Sequence, residues 1–207
     1  MTTATGQYAI NYAVLGDANP YSNSDFTNVT GTVRISSGLL RANADWIGKY
    51  TGGTYDGTAV GVGFEVNASP LNDEVYGGVL DQNNDGFLLR IRPTGCFVFV
   101  YTAAALVDSF GSGSFTLATD DLFTFTCTKG SPNTVAVTRN GSSVTLSQST
   151  YTKTLGNLAG AMQIVNGNVG AGAIKSFAIT TGLSVASAKA PPPLRPPGWM
   201  YMPLLNM

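Results

Sequence analysis

The sequence predicts an all-β protein, an antiparallel two-sheet sandwich of jelly-roll type, on three observations. Apolar and polar residues alternate with a period of two along most of the chain, as half-buried strands require. The alternating stretches are short and recur every 8 to 12 residues or so, divided by turn-forming strings. No segment of about ten residues or more carries a helical period, so helix is expected only as a few short turns. A chain of 207 residues suits one domain with a tail and can bury a core without disulfide or metal staples.

Residues 1–25 read as an N-terminal arm with one strand candidate, Gln7 to Leu15, in which Tyr8, Ile10 and Tyr12 alternate. Residues 26–183 form the sandwich. Thr58 to Asn67 places Val60, Val62, Phe64 and Val66 on one face and reads as a central core strand. Val75 to Leu80, Gly86 to Arg92 and Cys96 to Tyr101 follow as a meander, divided by LDQNNDG and RPTG. Phe115 to Leu117, Leu122 to Thr128, Thr134 to Arg139 and Ser143 to Leu146 continue it. Asn140-Gly141 between the last two specifies a type I′ hairpin, whose central residues both need a positive φ. Ala161 to Val165 and Ile174 to Thr180 close the series. From Ser184 a small-residue linker runs into PPPLRPPGWMYMPLLNM, which holds six of the ten prolines, so residues 184–207 read as a Pro-rich apolar C-terminal arm.

Composition excludes many functions. Charged residues are 11% of the chain, against about 25% in an ordinary soluble domain. Eleven basic and 12 acidic side chains leave a net charge of -1, no footprint for nucleic acid or an anionic membrane. The absence of histidine removes the commonest general base, Ser-His and Cys-His nucleophile pairs, and the usual zinc and iron ligand sets. No apolar run approaches the 18 or so residues that span a bilayer. The first fifteen residues lack the basic and apolar regions of a secretory signal. Cys96 and Cys127 are therefore expected as free thiols, Cys127 as a small buried hydrophobe on the Phe123, Phe125 face.

The order of FTNVTGTVRISSGLLRANA, AVGVGFEVN, QNNDGFLLRIRPTG, TVAVTRNGSSVTL and GAMQIVNGNVGAGAIKSFAI resembles the concanavalin A-like lectin/glucanase sandwich over about residues 26 to 179. That resemblance implies the fold; the same sandwich hosts lectins, glycosidases and structural modules. Its glucanase branch carries an E-x-D-x-x-E strand, with paired carboxylates as nucleophile and acid. This chain has two glutamates, Glu65 and Glu74, in no such pattern, so no enzyme activity and no cofactor is expected. In low charge, richness in Thr, Gly and Asn, and unlike arms at both ends, the chain is also similar to short virion proteins of tailed bacteriophages.

Three motifs stand out. Asp81, Asn83, Asp85 and Gly86 have the spacing of a calcium loop, but Arg92 stands where the bidentate glutamate belongs, so an Asx-rich turn with dispensable calcium is expected. The string from Asp45 to Asp56 reads as a loop between strands. Its Trp46, Tyr50, Tyr55 and Asp56 are candidate glycan-binding residues, the rings stacking on sugar and the acid taking hydroxyls, or else the aromatics pack on the sandwich edge. In the C-terminal arm, Leu194, Trp199, Met200, Tyr201, Met202, Leu204 and Leu205 are too apolar for a solvated linker and are candidate partner-binding residues. The resulting expectation is a non-enzymatic phage virion structural protein, a capsid decoration (cement) protein made in the host cytoplasm. Its arms would bind its own copies, as a homo-oligomer such as a trimer, and a major capsid or tail protein. The alternative is a carbohydrate-binding receptor-recognition module of a tail fibre or adhesin, with a surface glycan as ligand.

Overall fold

The computed structural model describes residues 3–42, 45–53, 58–66, 74–165 and 173–182, without the side chains of 74–76 and 165. The strands are β1 (Tyr8–Asn11), β2 (Phe26–Thr30), β3 (Val33–Ser36), β4 (Leu39–Ala42), β5 (Trp46–Tyr50), β6 (Ala59–Val66), β7 (Glu74–Leu80) and β8 (Gly86–Arg92). They continue as β9 (Gly95–Thr102), β10 (Ala105–Gly111), β11 (Leu122–Thr128), β12 (Asn133–Arg139), β13 (Ser142–Ser143), β14 (Thr150–Tyr151), β15 (Ala159–Val165) and β16 (Ile174–Thr181). Tyr12–Val14 makes a single 3-10 turn. No helix among the described residues is long and apolar enough to cross a membrane.

Two antiparallel sheets result. One holds nine strands in the order β13, β12, β11, β6, β16, β4, β3, with β1 also beside β16 and β14 beside β12. The other holds seven, in the order β10, β9, β8, β7, β15, β5, β2. The sandwich expected from the alternation is the fold observed. Val60, Val62, Phe64 and Val66 all point into the core, facing Phe87, Leu89, Val98 and Met162 of the other sheet. Glycines make room for the largest of these contacts. The Phe64 ring lies where a side chain on Gly77 would be, and the Ile179 side chain where one on Gly160 would be. A substitution at either would drive a methyl group into the opposite sheet.

The tight turn at Asn140-Gly141 has φ of 50° and 80°, the two positive values that a type I′ hairpin demands. Cys96 and Cys127 are buried free thiols, and burial pushes Cys127 up to about 12. A thiol so withdrawn from water gains no reactivity from its position.

Four expectations are corrected. The segment set apart as an arm, 1–25, belongs in large part to the sandwich. Tyr8–Asn11 pairs with β16, and Tyr8, Ile10 and Tyr12 are buried. Their alternation supplies a complete apolar face, which the core takes up. The Trp46–Tyr50 stretch is a strand between β15 and β2 rather than a loop. Phe115 to Leu117 is not a strand, although both residues pack against the core. Ser143 to Leu146 shrinks to the two-residue β13, with Leu146 making an isolated bridge to Ser112.

Candidate functional site

Trp46 is 2% exposed, and its indole Nε1 donates to Asn28 Oδ1 at 3.0 Å. Its ring lies over Gly48, two residues along the same face, where the missing side chain leaves the space. Tyr50 is fully buried, with ring centroids 4.4 Å from Tyr8 and 5.5 Å from Phe26. Burial, with a smaller contribution from the Asp25 charge, pushes the Tyr50 phenol up to about 12. These two candidate glycan-binding residues are therefore core residues, because β5 turns both toward the opposite sheet. Tyr55 and Asp56 lie outside the described residues. The cavity beside Trp46, lined also by Tyr21, Asn23, Asn28 and Met162, measures about 150 Å³, half the roughly 300 Å³ at which ligand pockets begin.

The Asp81 turn is occupied by the protein itself. Asp81 Oδ1 accepts from the amides of Asn83 (2.8 Å) and Asp85 (3.0 Å), and its Oδ2 from Gly156 (2.9 Å). Asp85 Oδ1 accepts from the Ala103 amide at 2.9 Å, while Lys153 Nζ approaches its Oδ2 at 3.5 Å. Lys49 Nζ donates to the Asp81 carbonyl at 2.9 Å and to Asn84 Oδ1 at 3.2 Å. Burial holds the Lys49 ammonium below its ordinary value, and the nearby Asp81 charge offsets part of that. Two lysines thus set positive charge against the turn to which a calcium reading assigns Asp81, Asn83 and Asp85 as ligands, and the Asp81 carboxylate oxygens are taken up by backbone amides. No group of three or more acidic or cysteine side chains that could hold a metal occurs among the described residues. EDTA is expected to leave the melting temperature unchanged, whereas Asp81→Ala, which strands three amides, costs about 2–4 kcal/mol in chemical denaturation. A calcium-dependent rise in melting temperature, abolished by Asp81→Ala, would contradict this.

Glu65 is buried on the outer face of β6. It accepts from Ser176 Oγ at 3.0 Å and pairs with Lys175 at 3.6 Å, while the Ala4 amide donates to Ser176 Oγ at 2.9 Å. Lys175 also bonds Asp120, and this bond, opposed by burial and aided by the Glu65 charge, holds the ammonium above its ordinary value. The Glu65 carboxylate thus serves a structural link beneath the N-terminal strand. The partner-binding candidates Leu194, Trp199, Met200, Tyr201, Met202, Leu204 and Leu205 lie outside the described residues.

A feature that sequence reasoning missed is an open groove of about 460 Å³ beside the β12–β13 hairpin. Its floor includes Phe115, half-buried against Phe123 with ring centroids 6.0 Å apart, and Val144. The Arg139 guanidinium lies 4.6 Å from the Phe115 ring centre. It is fixed there by Asp121, at 2.6 Å through Nη2 and 2.9 Å through Nε, and by the Thr116 carbonyl at 2.7 Å. Asp121 in turn accepts from the Ala118 amide (2.8 Å) and from Asn140 Nδ2 (2.7 Å). Burial opposes ionisation of Asp121, but the Arg139, Ala118 and Asn140 hydrogen bonds outweigh it and hold the carboxyl below its ordinary value. On this rigid floor the side chains of Ser114, Ser142, Ser143 and Thr145 stand exposed around the rim. In sequence the Asn140-Gly141 turn and the strand candidates on either side of it were visible here, but not the groove between them. The groove itself depends on the Ser112 to Leu146 bridge, which brings two distant segments together.

No family model matches the chain. No curated protein matches it in sequence. Among solved structures it is similar to the carbohydrate recognition domain of Emp47p, with a TM-score of 0.56 and 10% identity over 87% of this chain and 98% of that one. It is similar to the Ca2+/Man3GlcNAc-bound exoplasmic/lumenal domain of VIP36, with a TM-score of 0.53 and 11% identity over 89% and 92%. The apo Crh5 transglycosylase gives 0.53 and 9% over 87% and 88%. At such identities the likeness is one of fold, and the fold is the concanavalin A-like lectin sandwich.

Proposed function

We propose that the chain is a non-enzymatic carbohydrate-binding module that takes a glycan in the groove between Gly113–Phe115 and the β12–β13 hairpin. The observation that carries this reading is the groove itself, an open cavity of about 460 Å³ with hydroxyl groups at its rim and an aromatic edge at its floor. That is within the size range of small-molecule sites. Ser114, Ser142, Ser143 and Thr145 can exchange hydrogen bonds with sugar hydroxyls, while Val144 and Phe115 give apolar surface to a sugar C–H face. Arg139 and Asp121 hold the floor in place, so little ordering is needed on binding. The similar Emp47p domain is a carbohydrate recognition domain and the similar VIP36 domain is bound to Man3GlcNAc, which supports the same ligand class.

The test is a glycan microarray probed with the labelled full chain, followed by titration of the selected oligosaccharide into wild type and Ser143→Trp. The bulky ring fills the groove from an exposed position, so binding is expected to weaken tenfold or more, about 1.4 kcal/mol, with folding stability changed by no more than about 0.5 kcal/mol. Absence of retained glycan, or unaltered binding by Ser143→Trp, would contradict the reading.

The second reading, a capsid decoration protein in the virion, is favoured by the 11% charge content and by the apolar Pro-rich composition of residues 184–207. A surface glycan ligand is compatible with it, since a receptor-recognition module on a particle would use the same groove.

A further inference from the structure

Among the described residues that line the groove beside the β12–β13 hairpin, Arg139 alone is charged. Its Nε and Nη2 are engaged within the chain, on Asp121 and the Thr116 carbonyl. Nη1 is neither bonded to a described residue nor shut off from solvent. Its N–H donors are therefore open, on a guanidinium whose position the other two nitrogens fix.

The ion pair is lopsided toward the groove. The Asp121 side chain is 3% exposed and that of Arg139 is 23% exposed. Both Asp121 oxygens are taken up, one by Asn140 Nδ2 and the other by Arg139 and the Ala118 amide, so the negative end of the pair is withdrawn and its positive end is what a ligand meets. Phe115, 4.6 Å from the guanidinium carbon, shields one face of that charge from water, and a guanidinium is weakly hydrated to begin with. Asn140 adds no acceptor, since its Oδ1 already accepts from the Leu122 amide at 2.9 Å. The rim serines and Thr145 can all donate. The groove thus offers a charged donor and several neutral ones with no carboxylate facing them. An anionic oxygen is the acceptor that such a set holds best, because charge-assisted hydrogen bonds are roughly twice as strong as neutral ones.

We propose that the groove selects glycans carrying an anionic group, a carboxylate or a sulfate ester, and that Arg139 Nη1 is the donor that receives it. This inference rests on the groove being a glycan site and names the class of glycan. The net charge of -1 gives the chain as a whole no attraction for anions, so the preference is local and acts only at contact distance.

The test is an array of matched oligosaccharides probed with the full chain, each backbone present in three forms: neutral, with a uronate in place of one hexose, and with a sulfate ester. The retained sets are then titrated. At least one charged form is expected to bind about tenfold or more tighter than its neutral counterpart, ~1.4 kcal/mol, and the form retained tells carboxylate from sulfate. Arg139→Lys keeps a cation against Asp121 but has no second nitrogen to offer, so the charged-to-neutral ratio is expected to fall below about threefold. Ser143→Asp sets a carboxylate at the exposed rim with Arg139 in place and is expected to lower the same ratio about tenfold or more; it carries the test if Arg139→Lys fails to fold. Neutral forms bound as tightly as charged ones would overturn the proposal and leave the carbohydrate-binding reading standing. So would a ratio unchanged in a folded variant. Retention of no glycan in any form would contradict that reading and this proposal with it.

Discussion

Trp46→Ala lowers the stability of the domain by about 3–5 kcal/mol, the cost of emptying a large buried aromatic site. The magnitude follows from three features of the residue. It is 2% exposed, its ring fills the space that Gly48 leaves open on its own strand, and its indole nitrogen is the donor to Asn28. Truncation removes all three and leaves Asn28 without that donor. Chemical denaturation reads the loss as a lower midpoint, while the folded fraction retains its glycan affinity because the groove lies elsewhere. A Trp46→Ala protein of unchanged stability that has lost glycan binding would show that the ring is a binding platform and not a core element.

Asp121→Ala costs about 3 kcal/mol. A buried carboxylate that is removed strands the charge and donors arranged around it, and broken buried pairs lie in this range. Here the stranded groups are the Arg139 guanidinium, the Ala118 amide and the Asn140 amide. The pH dependence carries a sign. Because the Asp121 carboxyl is held below its ordinary value in the folded state, its contribution is fully present above the unfolded value of about 3.9. It is lost as pH falls through the lower folded value. The difference between wild type and Asp121→Ala is therefore constant from neutral pH down to about pH 5 and narrows below that. A difference that instead widened on acidification would mean that the carboxyl is protonated in the folded protein. The same variant releases Arg139 from its place over Phe115, so the groove loses its fixed floor and glycan affinity falls with stability.

What the sequence revealed followed from the alternation of its apolar residues. Val60, Val62, Phe64 and Val66 form a clean period-two run, and β6 is the central strand it implied, paired with β11 and β16. Asn140-Gly141 specified its hairpin through local φ preferences alone. The misses have a common cause, that local pattern does not say which face a neighbour will cover. In β5 the spacing of Trp46, Gly48 and Tyr50 marked an inward face, but Gly48 and Lys49 broke the expected strand composition and the aromatics suggested a loop. β10 went unrecognised because Leu106 and Val107 are exposed and the register shifts between Leu106 and Asp108, which breaks the alternation. In β9 both faces are apolar, Cys96, Val98 and Val100 inward and Phe97, Phe99 and Tyr101 outward, the mark of a strand covered on both sides. The groove could not be read at all, since its walls meet through tertiary contacts, the Ser112 to Leu146 bridge and the Gly111 to Ser147 hydrogen bonds, between segments distant in sequence.

The most direct measurement is the pattern of backbone amide shifts when the glycan selected on the array is titrated into isotopically labelled protein. Binding in the groove moves the amides of Gly113, Ser114, Phe115, Ser142, Ser143, Val144 and Thr145 in a saturable manner and leaves those of the Trp46–Tyr50 strand in place. Shifts centred on Trp46–Tyr50 or on the outward face of β8 and β9, with the groove unmoved, would contradict a glycan site at the β12–β13 hairpin.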